Sequence, residues 1–280
     1  MTQTRRRFDS IPPPAPHLEG GEGEPLVLLH GFTDTCHAWS QVLPLLTPHH
    51  AVYAPTLPGH FGGTAFPAGE KMTIVASLDL LERQLDERGI AKAHLVGNSL
   101  GGWASLELAA RGRALSVVGV CPAGGWHHGS PEDRAVIKFF RRSERMLRRS
   151  SPAILARVAR SPRLRAIAMR DLVADSSRVT AADATAIFNG AAGCAVTRDA
   201  LDLAASGQAF GDLGPIDCPV RILYGTRDKV VRWPTHYSRL RQILPDAEWI
   251  ALEGMGHLPM WEQPDLLARR ILEVTAPASL

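Results

Sequence analysis

Short apolar runs that stop at glycine or proline, separated by stretches of helical periodicity, constrain this chain more than any other feature. Pro25-Leu26-Val27-Leu28-Leu29-His30 is apolar up to its last residue and is followed by Gly31. A run of that length without polar alternation reads as a strand buried on both faces, the pattern of a parallel sheet. Ala51-Val52-Tyr53-Ala54, ended by Pro55, is a second such strand, and 94–97 and 115–121 are the next two. Between them, residues 73–88 put Ile74, Leu78, Leu81 and Leu85 on one helical stripe, with Thr73 as N-cap and Gly89 as stop. Residues 100–111 also read as helix. Parallel strands need crossover connections and helices supply them. The alternation therefore predicts an α/β fold with a mostly parallel sheet flanked by helices.

The alternation breaks between residues 127 and 212, where helical stretches follow one another without a good strand. It resumes with a strand at 220–225, a helix at 235–243, a strand at 249–252 and a helix at 264–274 opened by Pro264. This predicts a core domain made of 1–126 and 213–280, interrupted by a helical insertion at 127–212. Residues 1–24, polar and rich in Pro and Gly, are expected to form an arm or an irregular first strand pair. No internal repeat is evident. With 280 residues, 45% of them apolar and 21% charged, the chain can bury a core of this size.

Gly97-Asn98-Ser99-Leu100-Gly101-Gly102 lies between the strand at 94–97 and the helix at 100–111. It matches G-x-S-x-G in the strand–turn–helix setting that gives the motif meaning. A sharp turn there lifts the Ser99 hydroxyl off the sheet and requires small neighbours two residues away. It also aims the first amides of the helix at a developing oxyanion. A hydroxyl needs a base to take its proton, and histidine titrates near neutrality. His257 follows the strand at 249–252 through the loop Glu253-Gly254-Met255-Gly256, at a carboxyl end where α/β sites form. Asp228, after Tyr224-Gly225-Thr226-Arg227, is placed to orient that base. The loop after the first strong strand, His30-Gly31-Phe32, supplies the second oxyanion donor, so the backbone amides of Phe32 and Leu100 are expected to form the hole. His30 reads as a brace for its loop rather than a base.

These stretches resemble the α/β-hydrolase superfamily over residues 22–275. The resemblance is carried by LVLLHGF, LPGH at 57–60, HLVGNSLGGW, VRILYGTRD and GMGHLPMWEQPD, and by the chain order Ser, Asp, His. It implies the α/β-hydrolase fold, a helical cap inserted after the sixth strand over the site, and a Ser99–His257–Asp228 triad. GNSLGG resembles both esterases and carbon–carbon bond hydrolases of ring-cleavage pathways. The latter carry a more glycine-rich oxyanion loop than the HGFTDTCHAW found here, which favours a carboxylesterase acting on a small or medium ester. Dehalogenase and epoxide-hydrolase relatives use an aspartate nucleophile, and Ser99 argues against both. A meta-cleavage-type hydrolase or lactonase on the same triad is the alternative. A slow-turnover ligand sensor that keeps the fold is the alternative of another class.

Composition narrows the partners. The net charge of +3 is too weak to imply nucleic acid. No phosphate-binding glycine loop follows a strand, so no nucleotide cofactor is expected. His49-His50 and His127-His128 lack further ligands at metal spacing, so no metal is expected either. Cys36, Cys121, Cys194 and Cys218 are scattered and read as free thiols, which fits a cytoplasmic protein. Thr4-Arg5-Arg6-Arg7-Phe8 looks like part of a twin-arginine signal, but Ile11-Pro12-Pro13-Pro14-Ala15-Pro16 cannot form the apolar stretch such a signal needs. Nowhere is there a run of roughly 18 apolar residues to span a membrane.

The insertion has its own charge pattern. Residues 131–170 hold twelve Arg or Lys against Glu132, Asp133 and Glu144, a surplus of nine. Val136, Phe139, Phe140, Ser143, Met146 and Leu147 read as one helical face, with Lys138, Arg141, Arg142, Arg145 and Arg149 over the rest. A solvated face over an ordinary core stripe accounts for this pattern better than docking to an anionic membrane or partner. The apolar cap residues are expected to give an apolar pocket for the substrate.

Overall fold

Leu26 and Leu28 of the strand Pro25–Leu29 pack on one side of the sheet, Val27 and Leu29 on the other, and all four are fully buried. Successive strand side chains point to opposite faces, so a strand without polar alternation must be covered on both. The computed structural model describes residues 14–276 and supplies that cover. Its strands are β1 (His17–Gly20), β2 (Pro25–Leu29), β3 (Ala51–Pro55), β4 (Ala93–Asn98), β5 (Ala114–Val120), β6 (Val220–Gly225) and β7 (Glu248–Leu252). They form one sheet in the order β1-β3-β2-β4-β5-β6-β7. Only β1, paired with β3, runs antiparallel.

The helices of the sheet layers are α1 (Leu43–Leu46), α2 (Ile74–Glu87) and α3 (Leu100–Ala110), and the insertion follows with α4 (Pro131–Arg149), α5 (Pro152–Arg160), α6 (Pro162–Met169), α7 (Ala181–Gly193) and α8 (Thr197–Ala205). After β6 come α9 (Ser238–Ile243), α10 (Pro259–Glu262) and α11 (Pro264–Thr275). Leu78, Leu81 and Leu85 of α2, Trp103 and Leu106 of α3 and Leu240 of α9 cover one face of the sheet. Leu46 of α1, Trp261 of α10 and Leu267 and Ile271 of α11 cover the other. The sheet is thus the middle of three layers. The boundaries of α2 follow the sequence: the Thr73 hydroxyl accepts from the Ala76 amide at 3.0 Å, and Gly89 has φ +70° just past the end.

Three consecutive helices of the insertion open with Ser-Pro. The hydroxyls of Ser130, Ser151 and Ser161 accept from the amides of Asp133, Ile154 and Leu164. Pro at the first helical position costs no hydrogen bond, because that N–H has no partner in the helix anyway.

Four expectations need correction or restriction. Among the described residues the insertion follows the fifth strand, where the resemblance implied the sixth. Of residues 1–24, the described part carries one strand, β1, paired antiparallel to β3, and the rest of the expected arm or irregular strand pair lies outside the described residues. Met146 belongs to the outside of α4, with 54% of its surface exposed. At about 100° per residue it stands roughly 80° around the helix from Val136, at the margin of the stripe. The twin-arginine-like segment Thr4–Phe8 lies outside the described residues. Among the described residues no helix is long and apolar enough to cross a membrane.

Candidate active site

Every sequence-predicted site residue follows a strand end on the same edge of the sheet: Phe32 after β2, Ser99 after β4, Asp228 after β6 and His257 after β7. Ser99 has φ 53° and ψ −113°, a conformation that L side chains rarely adopt. Its neighbours hold it there. The Ser99 amide donates to the Val120 carbonyl at 3.0 Å, and its carbonyl accepts from the amides of Trp103 at 3.2 Å and Ala123 at 2.9 Å. The glycines on either side are obligatory. A Cβ on Gly97 would stand 2.0 Å from the Gly101 carbonyl oxygen, and one on Gly101 would stand 2.1 Å from the carbonyl oxygen of Leu29. Both clashes are with backbone, which cannot swing aside.

Asp228 and His257 form a buried pair. Asp228 Oδ2 is 2.7 Å from His257 Nδ1. The other carboxylate oxygen, Oδ1, accepts from the amides of Val230 at 2.7 Å and Val231 at 2.9 Å, which fixes the plane of the acid. A carboxylate bonded at Nδ1 holds the imidazole in the tautomer whose Nε2 is free to accept a proton. The Ser99 hydroxyl makes no hydrogen bond among the described residues, neither to His257 nor to any other group. Nor do the amides of Phe32 and Leu100 donate to any group among the described residues.

His30 is a brace, as its position suggested. The Leu57 amide donates to His30 Nε2 at 2.8 Å, so Nδ1 carries the proton and donates to the Gly31 carbonyl at 2.8 Å. Burial, reinforced by His60 beside it, pushes the His30 imidazole well below its ordinary pKa and keeps it neutral.

Above Ser99 is a cavity with about 670 Å³ of empty space. Phe32, Leu100 and Phe210 line it together with Val136 and Phe140 of α4 and Leu201 of α8, so the insertion supplies much of the wall. The Phe32 and Phe140 rings meet edge to face at 5.1 Å, joining the loop after β2 to α4. Asp133 is the one charged side chain in the lining, and it is already engaged. It accepts from Trp126 Nε1 at 3.0 Å and the Gly129 amide at 2.8 Å, and lies 3.1 Å from His128 Nδ1.

Three residues that sequence reasoning did not single out hold this arrangement. Asn98, buried beside Ser99, donates through Nδ2 to the carbonyls of Val120 at 3.1 Å and His257 at 3.0 Å. Glu262 of α10 accepts from the Gly256 amide at 2.6 Å with Oε2, and from the amides of Ala174 and Asp175 at 2.8 and 2.9 Å with Oε1. The His257 amide itself donates to the Leu172 carbonyl at 2.8 Å. The histidine loop is therefore pinned to the segment between α6 and α7 of the insertion. Cys121, with φ 47°, closes the back of the pair, its thiol pushed well above its ordinary pKa by burial and then by Asp228.

Ligand-type atoms of Cys121, Asp228 and His257 lie within 4.8 Å of one another, the one such trio among the described residues. The imidazole nitrogen that faces this trio is already bonded to the carboxylate, and the thiol is held protonated. A cation would have to displace both protons.

A model of the Alpha/beta hydrolase family matches residues 26–270. The epoxide hydrolase EphH of Mycobacterium tuberculosis H37Rv is 36% identical over 203 residues, 71% of this chain and 94% of that protein. Among solved structures, a thermophilic esterase from Thermogutta terrifontis has a TM-score of 0.71 at 24% identity, covering 92% of this chain and 91% of its own. The enol-lactonase of Burkholderia xenovorans has a TM-score of 0.69 at 20% identity, covering 92% and 95%. At these identities the two structures speak for the fold. The family model and the mycobacterial relative carry the further step: this chain belongs to the alpha/beta hydrolase family.

Proposed function

We propose that the protein is a serine hydrolase that cleaves a small or medium carboxylic ester through an acyl-enzyme on Ser99. The observation that carries this reading is the strained Ser99 at the floor of an apolar cavity, on the same sheet edge as the 2.7 Å Asp228–His257 pair. Ser99 Oγ attacks the acyl carbonyl while His257 Nε2 takes its proton. Asp228 accepts from Nδ1–H and stabilises the imidazolium. The amides of Phe32 and Leu100 receive the tetrahedral oxyanion. The proton then passes from Nε2 to the leaving alcohol, and water, deprotonated by the same nitrogen, hydrolyses the acyl-enzyme. Hydrogen bonds of this kind tighten when substrate binds, so the unengaged Ser99 hydroxyl is in keeping with the role.

The lining favours a neutral substrate. It contains no Lys, Arg or His, and its single carboxylate is already paired. An anionic substrate would lose its hydration there without gaining a counter-charge. A lactone is an internal ester and fits the same machinery.

The mycobacterial relative is named an epoxide hydrolase. A carboxylate that opens an epoxide forms an ester, whose carbonyl water can then attack. A serine that opened one would form an ether, with no carbonyl to hydrolyse and no route back to free enzyme. Serine at position 99 therefore supports acyl transfer over epoxide opening.

The experiment is a panel of p-nitrophenyl esters of graded chain length, run beside a lactone, a vinylogous diketone and an epoxide, with Ser99→Ala as control. Turnover of the neutral esters is expected, with labelling of Ser99 alone by a serine-reactive phosphonate. Ser99→Ala should stay folded and lose about 10³-fold or more in kcat. An active Ser99→Ala variant would remove the assignment. Faster cleavage of the diketone than of any ester would replace the ester by a carbon–carbon bond. Saturable ligand binding without turnover would favour the sensor.

A further inference from the structure

The outer face of the insertion combines two features that rarely share a soluble surface. The first is charge. Among the described residues, Arg142, Arg145, Arg149, Arg157, Arg160 and Arg163 have no carboxylate within ion-pair distance. Arg145, Arg149 and Arg198 also line a solvent-open cleft between α4 and α8, with about 1050 Å³ of empty space, whose two carboxylates, Glu144 and Asp202, are paired with Arg148 and Arg141. The second is exposed aliphatic surface. Met146, Ile154, Leu164 and Ile167 are 54, 52, 39 and 61% exposed. The only other large apolar side chains this exposed among the described residues, Val75 and Ile243, lie outside the insertion.

The two features are interleaved on the same helix faces. On α5, Ile154, Arg157 and Arg160 are three apart and stack on the outer side, while Leu155 and Ala159 are buried beneath. Arg163 and Ile167 of α6 and its C-cap Arg170, four and three apart, are likewise exposed above buried Met169. Helices α4 and α5 both pack on α7, and α6 packs on α5, so the helices that carry these faces form one connected layer.

A solvated face, the expectation from sequence, leaves the exposed Met146, Ile154, Leu164 and Ile167 unexplained, and we propose that this layer docks on an anionic lipid bilayer. Arginines gain from the negative surface potential of such a bilayer, and aliphatic side chains gain by entering the boundary between headgroups and acyl chains. A nucleic acid or acidic protein segment would use the charge but leave the exposed isoleucines without a partner. A second copy of this chain would bring the same positive field and be repelled.

The docked layer adjoins the cavity. Helix α4 carries Arg145, Met146 and Arg149 outside and lines the space above Ser99 with Val136, Ile137 and Phe140. If the ester reading holds, on which this one step rests, its apolar substrate is supplied from the bilayer. Docking itself does not depend on it.

The test is co-sedimentation of the full chain with phosphatidylcholine vesicles, with and without phosphatidylglycerol, at low and high salt. Wild type should pellet with the anionic vesicles at ~0.01 M salt. It should be released at ~1 M, where the screening length falls from about 30 Å to about 3 Å. Reversal of Arg142, Arg145 and Arg149 to Glu should weaken binding at least about 100-fold, the loss expected for three basic groups near an anionic surface. Ile154→Ser with Ile167→Ser should weaken vesicle binding but leave retention on heparin unchanged. Thermal unfolding reports folding in every variant, and hydrolysis of a soluble p-nitrophenyl ester tests the ester reading separately. Wild type left in the supernatant at low salt overturns the proposal. So does an isoleucine variant that binds vesicles as well as wild type, since that surface would then be reading polyanions in general.

Discussion

The side-chain amide of Asn98 donates to the backbone carbonyl of His257 at 3.0 Å, across 159 residues of chain. The same amide nitrogen donates to Val120 on β5 at 3.1 Å. One buried side chain therefore ties the turn that carries Ser99 to the loop that carries His257. Both donor hydrogens of the amide are used, so a residue of similar size without two donors cannot replace it.

Asn98→Ala should lower kcat by roughly 10- to 100-fold with little change in KM, because displacement of about 1 Å between reacting groups costs on that order. It should also lower stability by about 1–3 kcal/mol, since buried carbonyls lose their donor. The two effects separate by measurement: kcat is taken well below the unfolding transition, and stability from thermal unfolding. A stability loss without a kcat loss would leave Asn98 structural and remove its positioning role.

Asp228→Asn should retain the fold and lose about 10⁴ in kcat, because an amide facing Nδ1 favours the wrong imidazole tautomer. The two amides of Val230 and Val231 on Oδ1 should hold the new side chain in the old plane. Part of the activity should return as pH is raised, since a stronger general base in solution can substitute. Near-wild-type kcat at neutral pH would mean that another carboxylate orients His257.

The candidate site residues named from sequence stand together on one sheet edge because each lies at a local junction. Ser99 is bracketed by glycines whose Cβ positions are filled by backbone, and Asp228 and His257 each lie within a few residues of a strand end. The strands were legible because burial on both faces leaves no polar alternation. The contacts of Asn98 and Glu262 were not legible, although both stand inside the quoted motifs. Their meaning comes from partners brought close by the fold: Glu262 meets Ala174, 88 positions away. Met146 was misplaced for a related reason. A helical stripe has margins, and which margin is wet depends on the neighbouring helices α7 and α8, not on the period.

Asp34, on the loop after β2, gives the clearest pH dependence of stability. Burial pushes its carboxyl up to about 7, against the pull of the Thr35 amide, which donates to Oδ1 at 2.9 Å. In the unfolded chain the group titrates near 3.8. Between these values the folded state holds the proton and the unfolded state has released it. Stability from this group is therefore complete below about 3.8 and is lost as pH rises through 7. At roughly 1.4 kcal/mol per pKa unit, the full loss is on the order of 4 kcal/mol. Burial acts oppositely on His60, lowered to about 4, which gains stability as pH rises from 4 to its ordinary 6.5. The two offset each other in wild type over most of that range. Asp34→Asn keeps an acceptor for the Thr35 amide and removes the titration. The variant should be close to wild type in Tm at pH 4 and clearly more stable at pH 8. Thermal unfolding of both proteins across that range decides it. A constant difference in Tm would mean that Asp34 does not titrate in this window.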